Sequence, residues 1–250
     1  MAQSVIHRLR IVRKYARASL AIVAFILASG SLQAAEPPTD LAKRVAARET
    51  AAEADRAHFT YRQIVTINDY AGEYKEVRDI VFSPEGERSE VMVGKPSNSL
   101  SKLRLTEEDF RDLREVQPLL LTDETLWFYE VRYRGEDTHE GIPSWLIQIR
   151  PKQILSGQRR FDGMLWIDQR DFSILKSEGK AVPEIRTMKQ ENLFPAFTTV
   201  RTKMGSGYWF PSETLADDTL QFRTGPVRIR MRIAYSNYRR FGADSTVTYK

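Results

Sequence analysis

The sequence contains no cysteine. That excludes disulfides, thiol chemistry, cysteine-bound metals and a lipid-modified N-terminal cysteine, so a fold built from this chain rests on core burial. Histidine is scarce as well. His7 lies in the first residues, which leaves His58 and His139, and His139-Glu140-Gly141 lacks the second histidine of a zinc-protease helix. No metal and no cofactor is expected. Neither a Gly-x-Ser-x-Gly elbow nor a glycine-rich phosphate loop occurs, and nothing points to either remaining histidine as the base of a serine triad. Paired carboxylates are the remaining catalytic option. Asp168 and Asp171 read as a turn between Trp166-Ile167 and Phe172-Ile174, while Asp217 and Asp218 point to opposite faces of an extended chain, so the sequence reads as non-enzymatic. Long apolar runs are missing too. The one at residues 18–28 falls short of the roughly 20 residues a spanning helix needs.

What the chain has in excess is positive charge, formally +5. Arg8, Arg10, Arg13, Lys14 and Arg17 stand among the first 35 residues with no acid and account for all of it. The rest is formally neutral, so no nucleic-acid partner is expected. Residues 1–35 run from this basic stretch through the apolar run to the small-residue segment Ser29-Gly30-Ser31-Leu32-Gln33-Ala34-Ala35. That is the layout of a signal peptide cleaved after Ala34 or Ala35. Arg8 and Arg10 are not adjacent, which favours the general secretion route. The expectation is a periplasmic protein with no transmembrane segment once mature.

Residues 40–57 are rich in alanine and in charges spaced i,i+4, with Asp40 placed as an N-cap, and predict a helix whose apolar side is mostly alanine with Leu41 and Val45. From His58 the period changes to two. Phe59, Tyr61, Val65 and Ile67 alternate with polar residues, and late in the chain Ile229, Met231, Ile233 and Tyr235 alternate with Arg228, Arg230 and Arg232. Further strands are expected near 74–82, 88–93, 126–134, 144–150, 160–168, 171–180, 196–203, 207–215, 218–223 and 245–249, with short turns implying antiparallel pairing. Thr106-Glu107-Glu108-Asp109 caps a second short helix over 106–116 carrying Phe110, Leu113 and Val116. The predicted fold is mainly β with some α: residues 36–250 form one domain, a single curved antiparallel sheet or half-barrel of about eleven strands with two short helices against it, and a monomer.

A long sheet that curls has a concave apolar face, and two helices of modest hydrophobicity are expected to leave it incompletely filled, a site for a lipid tail or apolar peptide. The residues expected to line that hollow are Phe59, Tyr61, Val65, Trp145, Ile147, Trp166, Ile229, Met231, Ile233 and Tyr235. Their phase depends on strand register, because a slip of one residue reverses it.

Several strings carry a family resemblance. His58-Phe59-Thr60-Tyr61-Arg62-Gln63 follows the alanine-rich helix, Thr125-Leu126-Trp127-Phe128-Tyr129 resembles a central strand, and the run from Phe161 through Gly163, Trp166 and Asp168 to Ile174-Leu175-Lys176 resembles the F-x-G-x-x-W-V-D … I-V-K pattern of outer-membrane lipoprotein-sorting proteins. Taken in order with the leader, these features resemble the periplasmic lipoprotein carrier family typified by LolA. The resemblance implies a hydrophobic cavity for the acyl chain of a lipid or lipoprotein, and an arginine just before a proline that latches a helical lid. Here the corresponding place reads Ser83-Pro84, and the nearest basic residue, Arg88, is the candidate latch.

The expected function is thus a periplasmic carrier or sensor that binds a hydrophobic ligand in the hollow of the sheet, and two other readings compete with it. One is a non-catalytic envelope module with a packed core, meeting an acidic protein partner through Arg228, Arg230 and Arg232. The other is a small outer-membrane β-barrel, whose strands also alternate.

Overall fold

The alternating segments pair into one large antiparallel sheet in the computed structural model, which describes residues 36–83, 86–115, 121–154, 159–187 and 191–241. The expected signal peptide, Val116 and the last expected strand at 245–249 lie outside the described residues. Helix α1 (Leu41–Arg56) comes first, then β1 (Phe59–Asn68), β2 (Glu73–Phe82), β3 (Arg88–Met92), β4 (Ser97–Asn98) and α2 (Glu107–Glu115). A 3-10 turn (Leu126–Phe128) leads into β5 (Tyr129–His139), β6 (Ile142–Pro151), β7 (Arg160–Asp168) and β8 (Ile174–Val182). A small ribbon of β9 (Ile185–Arg186) and β10 (Glu191–Asn192) precedes β11 (Phe197–Lys203), β12 (Trp209–Phe222) and β13 (Gly225–Arg240).

The order across the sheet is β3-β2-β1-β13-β12-β11-β8-β7-β6-β5, with β4 beside β2. The last described strand, β13, therefore returns to the interior of the sheet and pairs with the first, Val65 opposite Ile233 and Ile67 opposite Met231. Edges β3 and β5 do not meet, so the sheet is open. Its apolar residues face inward under the helices, while the outer face carries cross-strand ion pairs such as Arg62 with Asp79 and Arg228 with Asp217. A membrane barrel has the reverse arrangement, apolar outside and closed, so the barrel reading is corrected.

Several expected boundaries shift for local reasons. Thr122 and Thr125 bond to each other, the Thr122 backbone N–H donating to Thr125 Oγ1 at 2.8 Å, and this winds residues 126–128 into a 3-10 turn instead of the start of a strand. The carboxylates of Asp168 and Asp171 accept backbone N–H groups of Arg170 and Ser173, so the β7–β8 turn extends to residue 173 before β8 begins. The two strands expected over 207–215 and 218–223 are one, β12, because β13 pairs with it from Glu213 to Phe222.

Two devices set the interior. Gly163 on β7 faces Gly179 on β8, and the fully buried Phe161 ring lies across both: an added Cβ would meet Phe161 Cζ at 2.6 Å from Gly163 and 2.7 Å from Gly179. The pair of glycines is the slot that lets a phenyl ring lie flat on the sheet. At the β1–β2 turn, the Asp69 carboxylate accepts backbone N–H groups from Ala71, Gly72, Ser101, Lys102 and Leu103, and so ties residues 99–103 to the sheet. Beyond that tie, Thr106 and Asp109 form a reciprocal cap for α2, the Thr106 N–H donating to Asp109 Oδ2 at 2.7 Å. Phe110 then packs at a tilt on Tyr74, 5.5 Å between ring centroids, and Leu113 is buried against the sheet.

Candidate functional site

The inner face of the sheet and helix α1 form the candidate site. Leu41, Val45, Ala46, Glu49, Ala52 and Arg56 are the buried residues of α1, and their spacing places them on one side of a 3.6-residue helix. Apart from Leu41 and Val45 this side carries only alanines and two charged groups, so the apolar grip of the helix is small. Its polar grip is specific. Arg201, on β11, donates two hydrogen bonds of 2.7 Å to the two carboxylate oxygens of Glu49, with both side chains almost fully buried. Arg48 donates to Ser173 Oγ (3.0 Å) and to the Gly207 carbonyl (2.8 Å), pairs with Asp171 and lies over the Tyr208 ring. Thr50 Oγ1 accepts the Asp123 N–H, and Asp55 pairs with Arg240. On the helix side each of these contacts is made by a side chain, so the ladder of the sheet runs uninterrupted beneath α1.

Nine of the ten residues expected to line the hollow face it: Phe59, Tyr61, Val65, Trp145, Ile147, Ile229, Met231, Ile233 and Tyr235 are all buried on the inner side. Trp166 is the correction. Its neighbours Leu165 and Ile167 point inward, so Trp166 stands on the outer face, donating from Nε1 to Asp137 (2.8 Å) with the Lys176 ammonium 4.0 Å from its ring centroid. Arg88 is ion-paired with Glu90 of its own strand, which also takes Arg78, and the sheet residue that grips α1 is Arg201. Arg228 and Arg230 share Asp217, and Arg232 takes Glu213, so two carboxylates of β12 answer three arginines of β13 and neutralise that face in part.

The hollow is polar at one end. Thr199 and Thr214 share a 2.8 Å hydrogen bond, Tyr235 Oη lies 3.5 Å from Thr214, and Tyr61 stacks on Tyr238. Burial pushes the Tyr235 hydroxyl up to about 12 and that of Tyr238 well above its ordinary value. Toward Trp145, Ile147, Leu165 and Ile167 the lining is apolar, and the buried Trp145 Nε1–H has no hydrogen-bond partner among the described residues.

Among the described residues the hollow is closed at its α2 end, contrary to the incomplete filling expected. The apolar void between α2, β1 and β13, lined among others by Ile67, Leu113, Phe194 and Met231, measures about 30 Å³, far below the roughly 300 Å³ of a small ligand pocket. Large rings fill the floor there, Phe161 lying on its glycine pair with Phe197 5.6 Å away and Phe194 against Phe197 in turn. The space that is open lies beside it. A groove of about 600 Å³ runs between the first turn of α1 and the edge strand β5, lined by Ala42, Lys43, Leu126, Tyr129 and Val131, with Trp127 64% exposed at its lip. Sequence reasoning missed Glu49 and Arg201, although a carboxylate on an alanine face and an arginine in phase with Phe197 and Thr199 were both readable signals.

No family model matches the sequence, and no curated protein matches it. Among solved structures the chain is similar to a DUF1329 family protein from Desulfovibrio piger, at 14% identity and a TM-score of 0.43 over 85% of this chain and 96% of that one. It is similar also to a LolA superfamily protein from Nitrosomonas europaea (11% identity, TM-score 0.37, 86% and 99%). A third is a domain of the outer membrane lipoprotein-sorting type from Vibrio parahaemolyticus (10%, 0.37, 78% and 92%). These likenesses are distant, and the architecture described above rests on this chain's own strand pairing.

Proposed function

We propose that this protein is a non-catalytic periplasmic carrier that shields an apolar chain, the acyl chain of a lipid or lipoprotein, against the inner face of its sheet, with α1 as the movable cover. The observation that carries this reading is the manner in which α1 is attached. It contributes two sizeable apolar side chains, is held by side-chain contacts, and leaves the sheet's hydrogen bonds intact if it lifts. Burial of Leu41 and Val45 stabilises the closed form by about 1.5–3 kcal/mol each, whereas an acyl chain gains about 0.8 kcal/mol per methylene removed from water. A long chain therefore offsets the loss of the helix's own apolar contacts. The groove beside β5 gives the chain a place to start: its walls carry charged residues such as Asp123 and Glu130, but Leu126, Tyr129 and Val131 in its lining also belong to or pack on the core.

Native mass spectrometry with organic extraction, on protein purified from a periplasm without detergent, tests the reading. Co-purified lipid, or uptake of an environment-sensitive acyl probe by the bare protein, is the expected result. Protein of bare mass that also takes up no probe overturns it and leaves a packed interaction module.

A further inference from the structure

Glu49 and Arg201 pair in a setting where the two partners belong to different moving parts. The guanidinium sits on the rigid sheet, the carboxylate on the cover, and among the described residues Glu49 is the only carboxylate paired with Arg201. Lifting α1 thus strands a buried cation on an otherwise neutral floor of Thr199, Thr214 and Tyr235. An unpaired charge in such a place is strongly disfavoured. A purely apolar ligand leaves that cost unmet, and a ligand bearing its own anion removes it.

Resting on the carrier reading, we propose that the ligand is an anionic amphiphile whose head group replaces the Glu49 carboxylate on Arg201, a long-chain fatty acid being the matching chemistry. The fork of two 2.7 Å hydrogen bonds that Glu49 now fills is the geometry of a planar carboxylate, which a fatty acid reproduces atom for atom. The tail has a track as well. Leu41 and Val45 lie on the same side of α1 as Glu49, and eight residues of helix carry that side about 12 Å from Glu49 toward the first turn. There the groove beside β5 begins. Glu49 is in this account a built-in competitor: it keeps Arg201 occupied in the empty protein and is exchanged for the ligand's own carboxylate on opening. A phosphate head group can take the same fork with two of its oxygens, but its further oxygen and larger charge exceed what the two Glu49 oxygens place there, so a carboxylate is the better match.

The test is displacement of a fluorescent fatty acid from the full chain by palmitate, by methyl palmitate and cetyl alcohol as neutral analogues, and by a monoacyl phosphate. Palmitate is expected to bind on the order of tenfold or more tightly than either neutral analogue. Arg201→Met combined with Glu49→Leu replaces the pair by apolar groups of similar size and keeps the protein folded. In that variant the neutral analogues bind more tightly than to the parent, because opening no longer strands a cation, and the preference for carboxylate disappears. Glu49→Gln alone raises palmitate affinity by on the order of a hundredfold, because the competitor has lost its charge. Equal binding of palmitate and its methyl ester overturns the assignment of Arg201 while leaving the carrier reading standing, and binding of none of the probes overturns the carrier reading itself. Tighter binding of the monoacyl phosphate than of palmitate overturns the carboxylate assignment.

Discussion

Phe161 and Gly163, two residues apart on one strand, are a ring and the gap made for it. The ring reaches across to Gly179 on the neighbouring strand, and a Cβ on Gly163 would also lie 2.3 Å from the Glu178 carbonyl oxygen. A strand interior usually disfavours glycine, so the cost of two facing glycines is offset by burial of the ring. Gly163→Ala is expected to lower stability by about 1–3 kcal/mol, the range for an overpacked core. Chemical denaturation would measure it, and an unchanged midpoint would mean that the ring and the facing β8 backbone shift aside without cost.

The attachment of α1 makes a prediction about local rather than global opening. Glu49→Gln removes the charge that answers Arg201, and breaking a buried pair typically costs about 3–5 kcal/mol. Because the sheet continues without the helix, that cost appears first as release of the cover. Hydrogen exchange of the variant should speed up over residues 41–56 while the amides of β6, β7 and β8 keep their protection. Uniform loss of protection would show that helix and sheet open as one unit.

Asp69 gives the protein an acid sensitivity. Desolvation works to raise its pKa, but the backbone N–H groups of Lys102, Leu103, Ala71 and Ser101 outweigh it and hold the carboxyl well below the usual carboxylate range. A depressed pKa means stability that is present above the unfolded value, about 3.9, and lost as the pH falls toward the folded one. Asp69→Asn should therefore be less stable than the parent at neutral pH. The gap should hold down to roughly pH 4 and narrow below it. Thermal or denaturant melts of both proteins across that range check the slope, and a gap independent of pH would exclude the ionised carboxylate as its source.

The two faces of the sheet can be told apart with a pair of tryptophans. Trp145 is buried on the inner side beside Phe172, and its replacement by alanine should cost about 3–5 kcal/mol and impair uptake of an acyl probe. Trp166 lies outside with Asp137 and Lys176, so Trp166→Ala should cost about 1 kcal/mol and leave uptake unchanged. Loss of uptake in the outer variant alone would place the ligand on the other face.

Much of this architecture was readable from alternation. β1 and β13 show strict two-residue periods, and the structure pairs them side by side with the apolar faces together, Val65 on Ile233. The phase of β7 was not readable in the same way: Phe161, Leu165, Trp166 and Ile167 are all large and apolar, and sequence assigned the hollow to Trp166 when burial selected Leu165 and Ile167. Where both faces of a strand carry apolar side chains, the pattern contains no phase, and only pairing with Lys176 on one side and Ser177 on the other reveals it.

Sequence by itself determined the mainly antiparallel β architecture, the helix that precedes it, the capped second helix and the dependence on core burial without disulfides. These follow from periods, caps and absences that are local in the chain. Only the tertiary structure decided which strands are neighbours, that the sheet stays open, that the hollow is closed at its α2 end, and that Glu49 meets Arg201 across 152 residues of sequence. A charge on a helix and a charge on a distant strand each read as an ordinary polar residue. Their shared burial exists only once the chain has folded and water has been excluded from between them.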